Sequence, residues 1–166
     1  MVQKKICMIG DFSVGKTCTV GRFIRQTFSD KYLTTVGVKI DTKVVQLPSG
    51  DEVKFILWDI AGNDALTTAS ASYLRGAAGY LLVVDGTRRP TWESAKKLQA
   101  AVTQQIGEKP FLVLLNKADL TEQWEIKQAD VDEQLKQGWK MLKTSAKTGE
   151  NVEQAFAILG RLLVGK

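Results

Sequence analysis

Gly10-Asp11-Phe12-Ser13-Val14-Gly15-Lys16-Thr17 decides the architecture. The octapeptide fits G-x-x-x-x-G-K-[ST], and it stands where that pattern has physical meaning. Behind it lies Ile6-Cys7-Met8-Ile9, an apolar run that reads as a buried strand; ahead lies a segment from Lys16 to Gln26 whose Val20, Phe23 and Ile24 recur at helical spacing. Strand, glycine-rich loop and helix in that order make a phosphate cradle. Glycines let the chain wrap tightly enough for successive backbone N–H groups, across Ser13, Val14, Gly15, Lys16, Thr17 and Cys18, to face one anion, and the helix N-terminus adds partial positive charge. Lys16 is placed to bridge the β- and γ-phosphates of a nucleotide, and Thr17 to hold Mg²⁺ through its hydroxyl.

Outward from this loop, the chain alternates strands and helices. Lys39 to Leu47 and Glu52 to Ile60 carry a two-residue period, with Val44, Leu47, Val53, Phe55 and Leu57 on repeating positions and Pro48-Ser49-Gly50-Asp51 between the two runs, which predicts a hairpin. Tyr80 to Val84 and Phe111 to Leu115 are apolar enough for strands buried on both faces. Pro90 suits the first turn of a helix that runs to about Ile106. A shorter helix is expected near Ala129 to Gln137, with Gly138 just past its end, then a strand from Trp139 to Thr144. The last helix is expected to begin at Asn151 as N-cap and to bury Val152, Ala155, Phe156, Leu159 and Leu162-Leu163. The fold class is therefore α/β: one domain over residues 1–166, a mostly parallel six-stranded sheet with one antiparallel edge strand, and helices on both faces. Ligands of such sheets bind at the carboxyl ends of the strands.

Composition sets the outer limits. The chain has 166 residues, 44% of them hydrophobic and 25% charged, with a formal net charge of +5. A chain of this length buries roughly 70% of its unfolded surface without disulfides or structural metal. Its lysines and arginines are spread along the whole length, which argues for a mixed solvated surface rather than a nucleic-acid footprint. Cys7 and Cys18 form no CxxC pair and the chain has no histidine, which argues against disulfide, zinc and histidine-base chemistry. The N-terminal residues carry no myristoylation glycine and no signal-peptide run, and Leu163-Val164-Gly165-Lys166 holds no cysteine for a prenyl anchor. A cytoplasmic protein without a direct lipid anchor is expected, recruited to membranes, if at all, by partners.

Two further motifs close strands. Trp58-Asp59-Ile60-Ala61-Gly62 ends the second hairpin strand and sets Asp59 where an acid can orient Mg²⁺ through a coordinated water; alone, the same residues also fit an ordinary turn. Asn116-Lys117-Ala118-Asp119 follows one strand and Ser145-Ala146-Lys147 the next, so both loops should stand on one sheet edge. Guanine presents its N1–H and N2–H donors side by side, and the single carboxylate of Asp119 can accept both. Adenine lacks that pair, and such a site discriminates by roughly 10⁴-fold. A polar loop is the alternative reading of the tetrapeptide taken alone. Asp119 disfavours a P-loop ATPase or small-molecule kinase.

With these motifs the chain resembles the Ras superfamily of small GTPases over essentially its full length, and within it the Rab-type proteins, through Val36-Gly37-Val38, Leu57-Trp58-Asp59, Ser72-Tyr73-Leu74-Arg75-Gly76-Ala77 and Leu82-Val83-Val84-Asp85. The resemblance implies a P-loop G-domain that binds GTP and GDP with Mg²⁺. It implies that Phe28 stacks on the base, that Thr35 in Tyr32-Leu33-Thr34-Thr35-Val36-Gly37 is a second hydroxyl ligand of Mg²⁺, and that the Gly62 N–H meets the γ-phosphate. It further implies that the Ala146 N–H meets the guanine oxygen and that the Lys117 stem covers the ring. The catalytic set would be Lys16, Thr35, Gly62 and Asn63, acting in a monomer whose switch loops meet effectors and regulators through a patch mapping to Ile40, Trp58 and Tyr73. For Trp58 an ordinary packed strand residue is the alternative. Asn63 stands where the family usually has the water-orienting Gln, Phe12 where a small residue is usual, and Ile40 where an aromatic is usual. The expectation is slow hydrolysis; the alternative is a nucleotide-dependent binding module that hydrolyses almost nothing and is reset by exchange.

Overall fold

The computed structural model describes residues 2–11, 13–25, 38–60 and 72–164. Six strands form one sheet: β1 (Val2–Gly10), β2 (Val38–Gln46), β3 (Glu52–Ile60), β4 (Gly79–Asp85), β5 (Phe111–Asn116) and β6 (Met141–Lys143), in spatial order β2-β3-β1-β4-β5-β6. Among the described residues only the β2–β3 pair is antiparallel, with Val38 opposite Ile60 and Gln46 opposite Glu52; β1 runs parallel to both β3 and β4. The strand order reverses at β1, which opens a crevice at its carboxyl end, and the glycine-rich loop leaves the sheet at that point.

Among the described residues, α1 (Lys16–Arg25), α2 (Arg89–Ile106), α3 (Gln128–Lys136) and α4 (Val152–Val164) cover the sheet. On one face α1 and α4 bury Val20, Phe23, Val152, Ala155, Phe156 and Leu159 against Ile6, Met8, Phe55 and Leu57. Phe23 stacks on Phe156 at 3.7 Å between ring centroids, and Phe55 tilts against both. Each buried phenyl ring contributes about 1.5–3 kcal/mol of transfer free energy. On the other face α2 packs Trp92, Ala95, Leu98 and Val102 over Cys7, Ile9, Leu82 and Val84, and Trp92 meets Trp139 edge-on at 5.7 Å.

The local signals translate closely. Every residue of β4 is buried, Pro90 sits in the first turn of α2, and Gly138 follows the C-cap of α3 with φ 92°. Val53, Phe55 and Leu57 are fully buried, as the alternation of β3 requires. Val44 faces solvent, because β2 is an edge strand and it is Val45 that turns to the core. β1 starts at Val2, earlier than its apolar run, since pairing with β3 carries the polar residues 3–5 into the ladder. β6 is shorter than expected: Trp139 leaves the sheet to fill the gap beside Trp92 and Phe111. Asn151 precedes α4, but its backbone is left-handed at φ 60°, and its side-chain amide donates to the Lys143 carbonyl at 2.9 Å; it ties α4 to the end of β6.

Candidate functional site

The phosphate loop is held from within. Lys16 is buried, and its ammonium donates to the carbonyls of Gly10 and Asp11, both at 3.0 Å, which aims it into the curl of the loop. Ser13 and Gly15 take positive φ values of 58° and 105°. At Gly15 a Cβ would collide with the Asn116 amide nitrogen, so only glycine permits the loop to approach β5 this closely. Beside it, the Thr17 hydroxyl donates to Asp59 Oδ2 at 2.5 Å, and Asp59 is buried at the end of β3. A hydroxyl and a carboxylate, both hard oxygen donors, beside the glycine-rich loop make a donor set that fits Mg²⁺.

The loops that follow β5 and β6 stand on the same edge. Asn116, buried at the end of β5, clips three elements together. Its amide nitrogen donates to the Val14 carbonyl at 2.9 Å; its oxygen accepts the Thr144 hydroxyl at 3.3 Å and the Ala146 N–H at 3.2 Å. The exposed carboxylate of Asp119 is oriented by the Ser145 hydroxyl, which donates to Oδ1 at 2.7 Å and itself accepts the Thr148 N–H. Lys117 has a left-handed backbone at φ 68°, and its ammonium reaches the Asp85 carboxylate at 2.8 Å and the Ser13 carbonyl at 3.3 Å. Lys147 is exposed at the rim. Cys18 is half-buried; burial raises its thiol above the ordinary value, with Lys117 opposing and Asp59 reinforcing the shift, so it stays protonated at neutral pH.

The structure thus brings Ser13, Val14, Gly15, Lys16, Thr17, Cys18, Asp59, Asn116, Lys117, Asp119, Ser145 and Ala146 into contact at the carboxyl ends of the strands, while Lys147 follows Ala146 as an exposed residue. Phe12, Phe28, Thr35, Gly62 and Asn63 lie outside the described residues. The three patch positions meet: Ile40, half exposed, lies opposite Trp58 in the β2–β3 ladder, and Tyr73 tilts against Trp58 at 6.2 Å. Sequence reasoning missed Lys5, whose ammonium sits 3.6 Å from the centre of the Trp58 ring and donates to the Arg75 carbonyl at 2.7 Å. Partial burial lowers its pKa, with Cys7 opposing. Also missed were Arg22, which donates from α1 to the Thr148 carbonyl at 2.7 Å, and Ser94, which donates from α2 to Asp11 at 2.9 Å. Nothing in the local pattern points to these residues, because each acts across a long sequence separation.

The sequence model of the Ras family matches residues 5–164 of the chain. The chain is similar to the GTP-binding protein ypt2 of Schizosaccharomyces pombe, at 35% identity over 162 residues covering 95% of this chain and 79% of ypt2. It is similar to the Ras-related protein SEC4 of Saccharomyces cerevisiae, at 34% over 165 residues covering 98% and 75%. It is also similar to the Ras-related protein Rab-8B of Homo sapiens, at 32% over 164 residues covering 98% and 79%.

Proposed function

The chain belongs to the Ras family of GTP-binding switches with GTPase activity, and from that premise we propose that it binds GTP and GDP with Mg²⁺ in the crevice described above, hydrolyses GTP slowly, and presents a nucleotide-dependent surface to partner proteins. The observation that carries the reading is the clip. Asn116 to Val14 and Lys117 to Ser13 fasten the base loop to the phosphate loop, so Asp119 and Lys16 are held in one register at the two ends of the crevice.

With a nucleotide bound, Lys16 exchanges its two loop carbonyls for β- and γ-phosphate oxygens, and a charge-assisted bond is roughly twice as strong as a neutral one. Thr17 and Asp59, with Thr35, would hold Mg²⁺, Asp59 through a water. When bound, Mg²⁺ supplies neutralisation of charge on the β- and γ-phosphate oxygens. Asp119 accepts the paired N–H donors of guanine, the Lys117 stem lies along the ring, Phe28 stacks on it, and the Ala146 N–H turns from Asn116 toward the guanine oxygen. Thr35 and the Gly62 N–H order the switch loops on the γ-phosphate, and loss of that phosphate releases them. Asn63 is one methylene shorter than Gln, and a misplacement near 1 Å costs on the order of 10²-fold in rate.

The domain occupies residues 1–166 and acts as a monomer, with Ile40, Trp58 and Tyr73 as the contact surface for effectors and regulators. Residence is cytoplasmic, with peripheral recruitment to membranes by those partners; among the described residues no helix is long and apolar enough to cross a membrane. Asn63 and Phe12 together favour the second reading, a binding module with negligible hydrolysis that is reset by exchange. The base site is tested by Asp119→Asn, which exchanges one acceptor for a donor and should move preference from GTP toward XTP, whose C2 oxygen replaces the guanine amino group. Unchanged preference for GTP would show that another group reads the base.

A further inference from the structure

Asp85 ends β4 and lies beside Asn116 in the parallel β4–β5 register. Its carboxylate is fully buried, which is costly for a charge unless it is paired and hydrogen-bonded. Here it is both. Oδ1 accepts the backbone N–H of Thr87 at 2.9 Å and its hydroxyl at 2.6 Å. Oδ2 is shared by two cations: the Arg88 guanidinium at 2.8 Å and the Lys117 ammonium at 2.8 Å. Burial pushes the carboxyl pKa up, but the bonds from Lys117, Thr87 and Arg88 outweigh it and leave the pKa below its ordinary value, so the group is ionised at neutral pH.

The geometry around Lys117 gives this pair a use. Lys117 departs from β5 with a left-handed backbone and spans to the phosphate loop, where its ammonium also donates to the Ser13 carbonyl. The Ser13 contact is long, at 3.3 Å, so Asp85 is the stronger of the two anchors. With the backbone fixed at the end of β5 and the ammonium held by Asp85 and Ser13, the alkyl stem between them is restrained at both ends. A free lysine side chain carries up to ~2 kcal/mol of rotamer entropy, and a stem already ordered before the base arrives spares the nucleotide that cost.

We propose that Asp85 is a positioning residue for guanine binding, acting through Lys117, and that Arg88 competes with Lys117 for the same carboxylate oxygen. The proposal rests on the functional reading above and adds its control point. Arg88 is the exposed member of the trio. Neutralising Asp85 lets the Lys117 stem swing free and speeds release of the nucleotide. Removing Arg88 leaves Lys117 as the principal claimant on Oδ2 and does not speed it.

The test is the rate at which bound fluorescent GDP is displaced by excess GDP, measured on the full chain. Asp85→Asn should release GDP about tenfold faster than the parent, and Lys117→Ala at least as fast. The Asp85→Asn/Lys117→Ala double variant should be no faster than Lys117→Ala alone. Arg88→Ala should release GDP at the parental rate or more slowly, and this exposed substitution keeps the test available if Asp85→Asn does not fold. Asp130→Asn, which breaks the neighbouring bidentate pair with Arg89 without touching Lys117, should match the parent. Asp85→Asn and Lys117→Ala effects that multiply in the double variant would overturn the proposal, as would faster release from Arg88→Ala. A parent chain that binds no GDP would instead refute the functional reading itself.

Discussion

Replacing Asn116 by alanine tests whether the two loops work as one unit. The side chain makes one hydrogen bond of ordinary length, to Val14 at 2.9 Å, and accepts two long ones, from Thr144 at 3.3 Å and Ala146 at 3.2 Å. Counting about 1 kcal/mol for the first and about half that for each of the others, the variant loses about 2 kcal/mol, and stranding buried partners adds about 1 kcal/mol more. A change of about 3 kcal/mol moves the balance between clipped and unclipped loops by about 10²-fold. A nucleotide that bridges both loops binds only the clipped form, so its apparent affinity falls with the clipped fraction. The expected result is GDP release accelerated by about 10²-fold in a displacement assay, with the sheet still folded by circular dichroism. A folded Asn116→Ala protein that holds GDP as long as the parent would refute the claim that the clip organises the site.

Lys16→Ala should lose most triphosphate affinity in calorimetric titration, since its ammonium is the cation that the phosphate loop turns inward; Thr17→Ala should bind GDP with a weaker dependence on Mg²⁺. Phe156→Ala removes a ring stacked on Phe23 and should cost about 3–5 kcal/mol of stability in chemical denaturation. Asp85 has a lowered folded pKa, so its contribution to stability is complete above its ordinary value of 3.8 and is lost as pH falls through the lower folded value. Acid titration of unfolding stability should therefore show a smaller loss below that value in Asp85→Asn than in the parent.

The parts of the fold that were legible share one property: their cause is local. The run Ile6 to Ile9 followed by the glycine-rich loop, the unbroken burial of β4, Pro90 opening α2 and Gly138 closing α3 are each set by a few adjacent residues. The same holds for the placement of Lys16, Thr17 and Asp119 at the carboxyl ends of the strands, which their motifs announce. Asn151 does mark the start of α4, its carbonyl accepting the Ala155 N–H, but its left-handed backbone and its side-chain bond to the Lys143 carbonyl could not be read from the sequence, because only the fold brings that carbonyl near. Lys5 on Trp58, Arg22 on Thr148 and Asp85 beneath Lys117 were invisible for the same reason. A charged residue in a sequence reads as solvated surface until its partner is placed beside it.

Hydrolysis depends on residues that depart from the family pattern. In the proposed reading turnover is slowed by Asn63, one methylene shorter than the Gln usual at that position, and by Phe12, which stands where a small residue is usual. Phe12→Gly combined with Asn63→Gln should raise turnover by more than the two single effects combined. The most direct test of the central claim is single-turnover hydrolysis of GTP by the purified parent chain, set against Lys16→Ala. The parent should convert GTP slowly and with Mg²⁺ dependence to GDP and phosphate, and the Lys16→Ala protein should not; phosphate release no faster from the parent than from that variant would contradict hydrolysis at this site.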